Sequence, residues 1–169
     1  MKTVVLSIIT LISFSSLAIS FAKPVHELVT PKHGDHSKIE WLDFETAIDK
    51  NEEKKKPIFI DIYTGWCGWC KKMDATTFQD EKVVKFMNEN FYAVKMDAES
   101  REPIAFKEKL YEYKKYGKAG YNELAVSLLN SKMSFPSFVV LSKRQVKVTT
   151  IAGYQKPNQL ISRLEKYAK

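Results

Sequence analysis

The chemistry of this chain centres on its only two cysteines, Cys67 and Cys70, which Gly68 and Trp69 separate. Two thiols at this spacing can open and close a disulfide with little movement of the backbone. A disulfide that closes so short a loop stabilises a fold by about 2 kcal/mol, against about 4.7 kcal/mol for a loop of about a hundred residues. The spacing therefore favours redox chemistry over a structural role.

Metal and haem binding are the other chemistries open to a C-x-x-C pair. Zinc normally takes four ligands, and the sequence has no second cysteine pair. Haem attachment needs a histidine directly after the second cysteine, where the sequence has Lys71. Three histidines near the N-terminus could ligate a metal, although a mobile polar tail is the preferred interpretation of their segment: His26, His33 and His36. Neither a metal site nor a cofactor is predicted.

Asp61 is the one acidic residue in an otherwise apolar run from Pro57 to Tyr63. Such a run is typical of a strand in the middle of a sheet that is covered on both faces. An acid at that place is costly to bury unless it has a task or a partner. Asp61 is therefore a further candidate for the reaction chemistry.

The elements that must position these residues follow from hydrophobic patterning and helix caps. Asp43 and Asp80 are predicted N-caps, and Pro157 is predicted to lie in the first turn of the last helix. The two cysteines are predicted to open a helix of their own. Five strands are predicted, the last two as an antiparallel hairpin: 39–41, 57–63, 91–96, 138–141 and 146–151. This order predicts an α/β fold, a three-layer sandwich in which helices flank a mixed central β-sheet.

The segment 101–131 has a helical pattern. Phe106, Leu110 and Tyr113 fall at i, i+4 and i+7. Gly117 and Gly120 interrupt the pattern before Leu124, Leu128 and Leu129 resume it. We therefore expect a helical insertion of one or two helices that crosses between strands.

The N-terminal residues 1–22 are predicted to be a secretory signal peptide that is cleaved after Ala22. Lys2 precedes a long uncharged stretch that ends in small residues, as signal peptidase requires. An uncleaved membrane anchor is the alternative, although several serines make the stretch weakly apolar for that task. Residues 23–37 are predicted to be a flexible leader, and residues 38–169 a single domain. Cleavage would place that domain in the periplasm or outside the cell.

The charge of the chain bears on its partners. The net charge of +7 falls to +6 once Lys2 is removed, and the basic residues are spread along the sequence rather than gathered in a stripe. A nucleic-acid partner is therefore not expected. Contact with a membrane is expected only if the signal segment is retained.

Three separate motifs resemble the thioredoxin superfamily, in the order that this family has them. Residues 59–72 are similar to its buried-acid strand, tryptophan, C-x-x-C and following lysine. Residues 134–138 are similar to its cis-proline loop, and Gly153 stands where the family often keeps a glycine after its last hairpin. Trp69 replaces the proline of thioredoxin itself. The resulting WCGWCK motif is closer to secreted thioredoxin-like proteins and to the C-terminal domain of the transmembrane thiol:disulfide interchange protein.

The resemblance implies roles for the motif residues. Cys67 would be the nucleophile, because a helix N-terminus favours the thiolate and lowers the pKa of a cysteine, and this thiol is expected to be exposed. Cys70, less exposed, would resolve the mixed disulfide. Asp61 would carry the proton of Cys70. The alternative is that Asp61 lies at a sheet edge and pairs with Lys95, whose place resembles that of the lysine facing this acid in thioredoxin; the two are compatible, and the proton-carrying role is preferred. The predicted substrate-binding residues are Trp66, Gly68, Trp69, Phe135 and Pro136, the last with a cis peptide bond.

The sequence therefore predicts a thiol:disulfide oxidoreductase that works through a Cys67–Cys70 disulfide, in a reductase or isomerase-like role. Its expected partners are protein dithiols or disulfides and an unidentified redox partner that recycles the cysteine pair. Two alternatives stay open: an adaptor of the same fold whose disulfide is inert, and a metal-binding module.

Overall fold

The computed structural model describes residues 38–168. The predicted signal peptide, the predicted leader and the three histidines lie outside these residues. The described strands and helices are, in chain order, β1 Trp41–Leu42, α1 Phe44–Glu53, β2 Ile58–Tyr63, α2 Gly68–Ala75, α3 Glu81–Asn90, β3 Tyr92–Asp97, β4 Ile104–Phe106, β5 Lys109–Tyr111, β6 Tyr113–Tyr116, β7 Ala119–Asn122, α4 Glu123–Leu128, β8 Ser137–Leu141, β9 Lys147–Ala152 and α5 Pro157–Leu164. Short 3-10 turns follow α2 and α5.

The central sheet has five strands in the order β1-β3-β2-β8-β9. The strands β1 and β2 run parallel to β3, whereas β8 runs antiparallel to both β2 and β9. The predicted mixed sheet and its terminal hairpin are therefore confirmed. Because β2 lies in the middle and both of its faces are covered, its sequence is apolar at nearly every position.

Alternate side chains of β2 enter two separate cores. Phe59 packs with residues of α2, α3 and α5 on one face of the sheet. Ile60 packs with residues of α1 and α4 on the other face. The predicted α/β sandwich of three layers is thus confirmed, and the side chain of Asp61 shares the face of Phe59 because strand residues alternate between faces.

The helix starts follow the predicted caps. The Asp43 side chain accepts a hydrogen bond from the backbone N–H of Thr46 at 2.7 Å. Asp80 accepts from the backbone N–H groups of Lys82 and Val83 at 2.9 and 3.2 Å. Side-chain oxygens at these positions satisfy donors that the first helical turn leaves unpaired.

The prediction of a helical insertion is wrong for residues 101–122. This segment forms two antiparallel hairpins, β4–β5 and β6–β7, and only the helix α4 at Leu124 and Leu128 agrees with the predicted pattern. Lys107 and Glu108 both have positive φ in the first hairpin turn, and Gly117 has φ +65° in the second. Two-residue turns with positive φ match the twist of paired strands. These turns therefore favour hairpins, although the apolar residues of the segment have helical spacing.

Asn122 anchors the two hairpins to the domain. Its side-chain amide donates to the backbone carbonyls of Glu102 and Tyr111, and its side-chain oxygen caps α4 by accepting from Leu124 N–H. Its backbone N–H donates to the carbonyl of Ala98 at 2.8 Å. A fully buried amide with these partners fixes the hairpins relative to the C-terminal end of β3.

Candidate active site

Cys67 and Cys70 form a disulfide at the N-terminus of α2, with their Cα atoms 5.3 Å apart. Cys67 is the N-cap, and its sulfur accepts a hydrogen bond from the backbone N–H of Cys70 at 3.1 Å. The backbone N–H of Cys67 donates to the carbonyl of Thr64. The sulfur of Cys67 therefore lies where the N–H groups and the dipole of the helix favour a negative charge.

The expected exposure of Cys67 is wrong for the disulfide-bonded form. Cys67 is 4% exposed and Cys70 is 2% exposed, so the two differ little. The physical reason is that the Cys67 sulfur is bonded to Cys70 and hydrogen-bonded to the first turn of α2, which turns it toward the helix.

The predicted substrate-binding residues form two groups. Phe135 and Pro136 are joined by a cis peptide bond, as predicted, and the Trp66 ring meets the Phe135 ring edge-on at 5.8 Å between centroids. Trp69 instead packs against Tyr154 at 5.4 Å. Both tryptophans are more than half exposed, which places two large apolar side chains at the surface beside the disulfide. Gly68, between the cysteines, faces open space.

Glu99 contacts Trp66, and the sequence analysis did not identify it as a site residue. Its carboxylate accepts a hydrogen bond from the Trp66 indole N–H at 3.1 Å. Glu99 follows the end of β3, the strand adjacent to β2, whose end leads to Trp66. The order of neighbouring strands is the signal that could have indicated this contact, because the ends of parallel strands meet at one edge of a sheet.

Asp61 is buried and paired with Lys95. The two residues lie opposite each other in the parallel pair β2–β3, and the Lys95 ammonium donates to one oxygen of Asp61 at 2.7 Å. The other oxygen of Asp61 has no hydrogen-bond partner among residues 38–168. The alternative of a sheet-edge position is wrong, because β2 is the central strand. The ion pair between Asp61 and Lys95, which that alternative also included, is present.

The surroundings of Asp61 raise the pKa of its carboxyl toward neutral pH. Burial raises the pKa of the Asp61 carboxyl to about 6, and the Lys95 ammonium limits the rise. Burial alone would lower the pKa of Lys95, but the carboxylates of Asp61 and Asp74 raise it above its ordinary value. A carboxyl with a pKa of about 6 can take up and return a proton near neutral pH.

Asp74 is a site residue that sequence reasoning missed. Its carboxylate also contacts the Lys95 ammonium, and its side chain is 44% exposed. Asp74 therefore links the buried pair to solvent. Its position was visible in the sequence, because Asp74 follows Cys70 by four residues and so lies on the same face of α2.

Three aromatic rings complete the surroundings of Lys95. Its ammonium lies 5.1 to 5.2 Å from the ring centroids of Trp41, Tyr63 and Phe78. Cations within about 6 Å of a ring are attracted to its face. Two carboxylates and three rings thus keep Lys95 charged beside Asp61.

We expect Asp61→Asn to stabilise the disulfide-bonded protein by about 2 to 3 kcal/mol at pH 8. In the folded protein the pKa of Asp61 is about 6, above its ordinary value, so ionising this carboxyl costs more free energy in the folded protein than in the unfolded chain. This cost develops as the pH rises from the ordinary pKa to the folded pKa, and the asparagine variant does not have it. At pH 4 the carboxyl is protonated in the fold and about half protonated in the unfolded chain, so most of the gain should disappear. Urea unfolding at both pH values measures the difference.

The matched control for this prediction is Asp49→Asn, which removes an exposed carboxylate of α1. Its effect on the free energy of unfolding should stay within about 0.5 kcal/mol at either pH. A gain for Asp61→Asn that is the same at pH 4 and pH 8 would contradict the assignment of the raised pKa.

Between residues 38 and 168, three or more His, Cys, Asp or Glu side chains do not come together in a group that could hold a metal ion. None of the helices in the same range has both the length and the hydropathy that a membrane crossing requires.

Comparisons with curated proteins give matches to parts of much longer chains. Spermatogenesis-associated protein 20 of Rattus norvegicus is 34% identical over 70 residues, which are 41% of this chain and 9% of that protein. The thiol:disulfide interchange protein DsbD of Campylobacter jejuni is 35% identical over 54 residues, which are 32% of this chain and 9% of that protein. The aligned segments thus cover less than a tenth of each of these relatives.

Comparison with solved structures identifies the fold. The solution structure of a thioredoxin from Thermus thermophilus superposes with a TM-score of 0.57 at 14% identity, over 76% of this chain and 86% of that one. Residues 31–159 match the sequence family Thioredox_DsbH, whose description reads "Protein of unknown function, DUF255". The predicted resemblance to the thioredoxin superfamily is confirmed. With this match over most of its length, and with a disulfide-bonded C-x-x-C pair on a thioredoxin fold, the chain belongs to the DUF255 family of DsbH-like thioredoxin-fold proteins.

Proposed function

We propose that this chain is a thiol:disulfide oxidoreductase that exchanges disulfides with protein substrates through Cys67 and Cys70. The observation that carries the proposal is the disulfide between these two cysteines at the first turn of α2. The buried pair of Asp61 and Lys95 on the adjoining strands supports it. The relative DsbD of Campylobacter jejuni is named as a thiol:disulfide interchange protein, which agrees with this activity.

The first step starts from the reduced protein, in which Cys67 is the attacking thiolate. Its sulfur attacks one sulfur of a substrate disulfide, so that a bond forms between Cys67 and the substrate while the substrate S–S bond breaks. The other substrate sulfur leaves as a thiolate and takes a proton from solvent. The N-terminus of α2 favours this reaction because it stabilises the thiolate of Cys67.

The second step releases the substrate. Cys70 loses its proton and attacks the sulfur of Cys67, which forms the Cys67–Cys70 disulfide and frees the second substrate sulfur as a thiolate. We assign the uptake of the Cys70 proton to the Asp61 carboxylate, whose pKa of about 6 suits a base near neutrality. Two electrons have then passed from the protein dithiol to the substrate disulfide.

The direction of net transfer is part of the proposal. We favour a reductase or isomerase-like role, in which an external dithiol partner returns two electrons to the Cys67–Cys70 disulfide. We further propose that the domain works in the periplasm or outside the cell, which rests on the predicted signal peptide. Alkylation of free thiols in intact cells, with a reagent that does not cross membranes, tests this location.

Turbidity of insulin under dithiothreitol tests the proposed activity. We expect the wild-type protein to speed the precipitation of the reduced insulin B chain, and Cys67→Ser to give the rate of dithiothreitol alone. The double variant Cys67→Ser/Cys70→Ser sets the background. Wild-type protein at the background rate would instead support an adaptor with an inert disulfide. Reactivation of scrambled ribonuclease by the same protein distinguishes an isomerase from a simple reductase.

A further inference from the structure

Four aromatic rings lead from the disulfide to the outer hairpin β6–β7. Trp66 contacts Phe135 at 5.8 Å between centroids, Phe135 contacts Tyr121 at 6.0 Å, and Tyr121 contacts Tyr116 at 6.5 Å. We call these four residues the aromatic row. Trp66 is 64% exposed and Tyr116 is 45% exposed, so both ends of the row are open to solvent.

The aromatic row is long enough to contact several residues of an extended peptide. A strand rises about 3.3 Å per residue, so the path along the four ring centroids corresponds to at most about five residues of extended chain. Phe135 and Tyr121, between the two exposed ends, are partly exposed. Adjacent aromatic rings that reach the surface of a soluble protein mark contact sites, because they bury large apolar areas against a partner. The row begins at Trp66, directly before Cys67, so a segment bound along it would run toward the reacting sulfur.

The charge at the outer end of the row indicates the chemistry of the partner. Residues 113–121 contain three lysines and no acidic residue. Lys114 is paired with Glu123 at 2.8 Å. Lys115 and Lys118 are exposed and form no ion pair with any residue in the range 38–168. The hairpin therefore carries two positive charges, Lys115 in β6 and Lys118 in the turn, that are available to an anionic partner.

We infer that the aromatic row and the two exposed lysines of the β6–β7 hairpin, Lys115 and Lys118, dock an extended, acidic segment of the polypeptide whose disulfide is exchanged. The inference rests on the proposed function and adds a substrate class to it. Apolar side chains of the segment would lie on the rings, while its carboxylates would lie beside Lys118 in the turn. Lys115 leaves β6 on the face opposite Tyr116, so only its long side chain could reach them around the strand edge. The hairpins are also the part of the fold that the helical prediction did not anticipate.

Two matched disulfide peptides test this inference. They have the same apolar residues and the same residues next to the cysteines, but about five residues from the reacting cysteine one carries glutamates and the other carries lysines. Reduced protein, freed of dithiothreitol, is mixed with each peptide, and the second-order rate constant is followed by tryptophan fluorescence. At low salt we expect the glutamate peptide to react about tenfold faster, and we expect high salt to reduce this ratio.

Charge-reversal variants locate the effect. Lys115→Glu/Lys118→Glu should remove the preference for the glutamate peptide. The control Lys82→Glu/Lys166→Glu makes the same charge change on exposed residues near the other core, and the preference should persist. Tyr116→Ser should slow both peptides equally. All these variants should reduce the small neutral hydroxyethyl disulfide at the wild-type rate, which shows that they are folded and active.

The outcomes separate this inference from the proposed function. Wild-type protein that does not reduce hydroxyethyl disulfide would overturn the proposed function itself. Wild-type protein that reduces it, yet treats the two peptides alike or responds equally to both double variants, would overturn the docking inference alone. Sedimentation of a dimer that Tyr116→Ser dissociates would identify a second copy of the chain as the occupant, and would also overturn it.

Discussion

Replacing Cys70 by serine is expected to stop turnover and to hold the protein in covalent mixed disulfides with its substrates. Cys67 keeps its place at the N-terminus of α2 and can still attack, but the thiol that resolves the adduct is gone. Resolution would then depend on external thiols, which lack the high effective concentration of a neighbouring group. We expect a loss of about a thousandfold or more in turnover.

Non-reducing electrophoresis and intact mass of the adducts measure this outcome. The matched control is Cys67→Ser, which should form no adduct because it removes the attacking sulfur. Adducts that accumulate on Cys67→Ser and not on Cys70→Ser would reverse the roles of the two cysteines. The fold would be unchanged by such a result, but the assignment of Asp61 to the proton of Cys70 would no longer hold.

Asp61→Asn is expected to slow release of the substrate by about a hundredfold at pH 7, because it removes the general base for Cys70. In the wild-type protein the carboxylate must be ionised to accept the proton, so the rate should fall as the pH drops through the Asp61 pKa of about 6. The asparagine variant should lose this inflection. Stopped-flow tryptophan fluorescence from pH 4 to pH 8 records both profiles.

Two neighbouring variants should move the same inflection in opposite directions. Lys95→Met removes a positive charge that lowers the pKa of Asp61, so the inflection should move to higher pH. Asp74→Asn removes a negative charge that raises this pKa, so the inflection should move to lower pH. An inflection that survives in Asp61→Asn would assign it to another group.

The central sheet could be predicted because the patterns that indicate its strands and the flanking helix starts involve residues that are close together in the sequence. The apolar run around Asp61 indicates a central strand, and the structure places that strand in the middle of the sheet. The predicted caps at Asp43 and Asp80 also agree, because a cap needs only one side chain and the N–H groups that follow it.

The two hairpins and the contact of Asp74 with Lys95 could not be predicted from the spacing of apolar residues alone. Phe106, Leu110 and Tyr113 fit helical spacing, yet the positive φ angles of the turn residues at 107, 108 and 117 produce paired strands. Asp74 matters because Lys95 reaches it from β3 across the packed face of the sheet. Such a contact between distant residues follows from the fold, and helical spacing indicates only that Asp74 shares a face with Cys70.

The pH dependence of Cys67 alkylation in the reduced protein shows whether the Cys67 sulfur is an activated nucleophile. Iodoacetamide modifies the thiolate, so its rate against pH reports the ionisation of the attacking sulfur, and mass spectrometry of the peptide identifies the cysteine. We expect rapid modification of Cys67 alone, with an inflection well below the ordinary thiol pKa of about 8.5. An inflection at that ordinary value, or a Cys67 that iodoacetamide does not modify, would contradict this expectation.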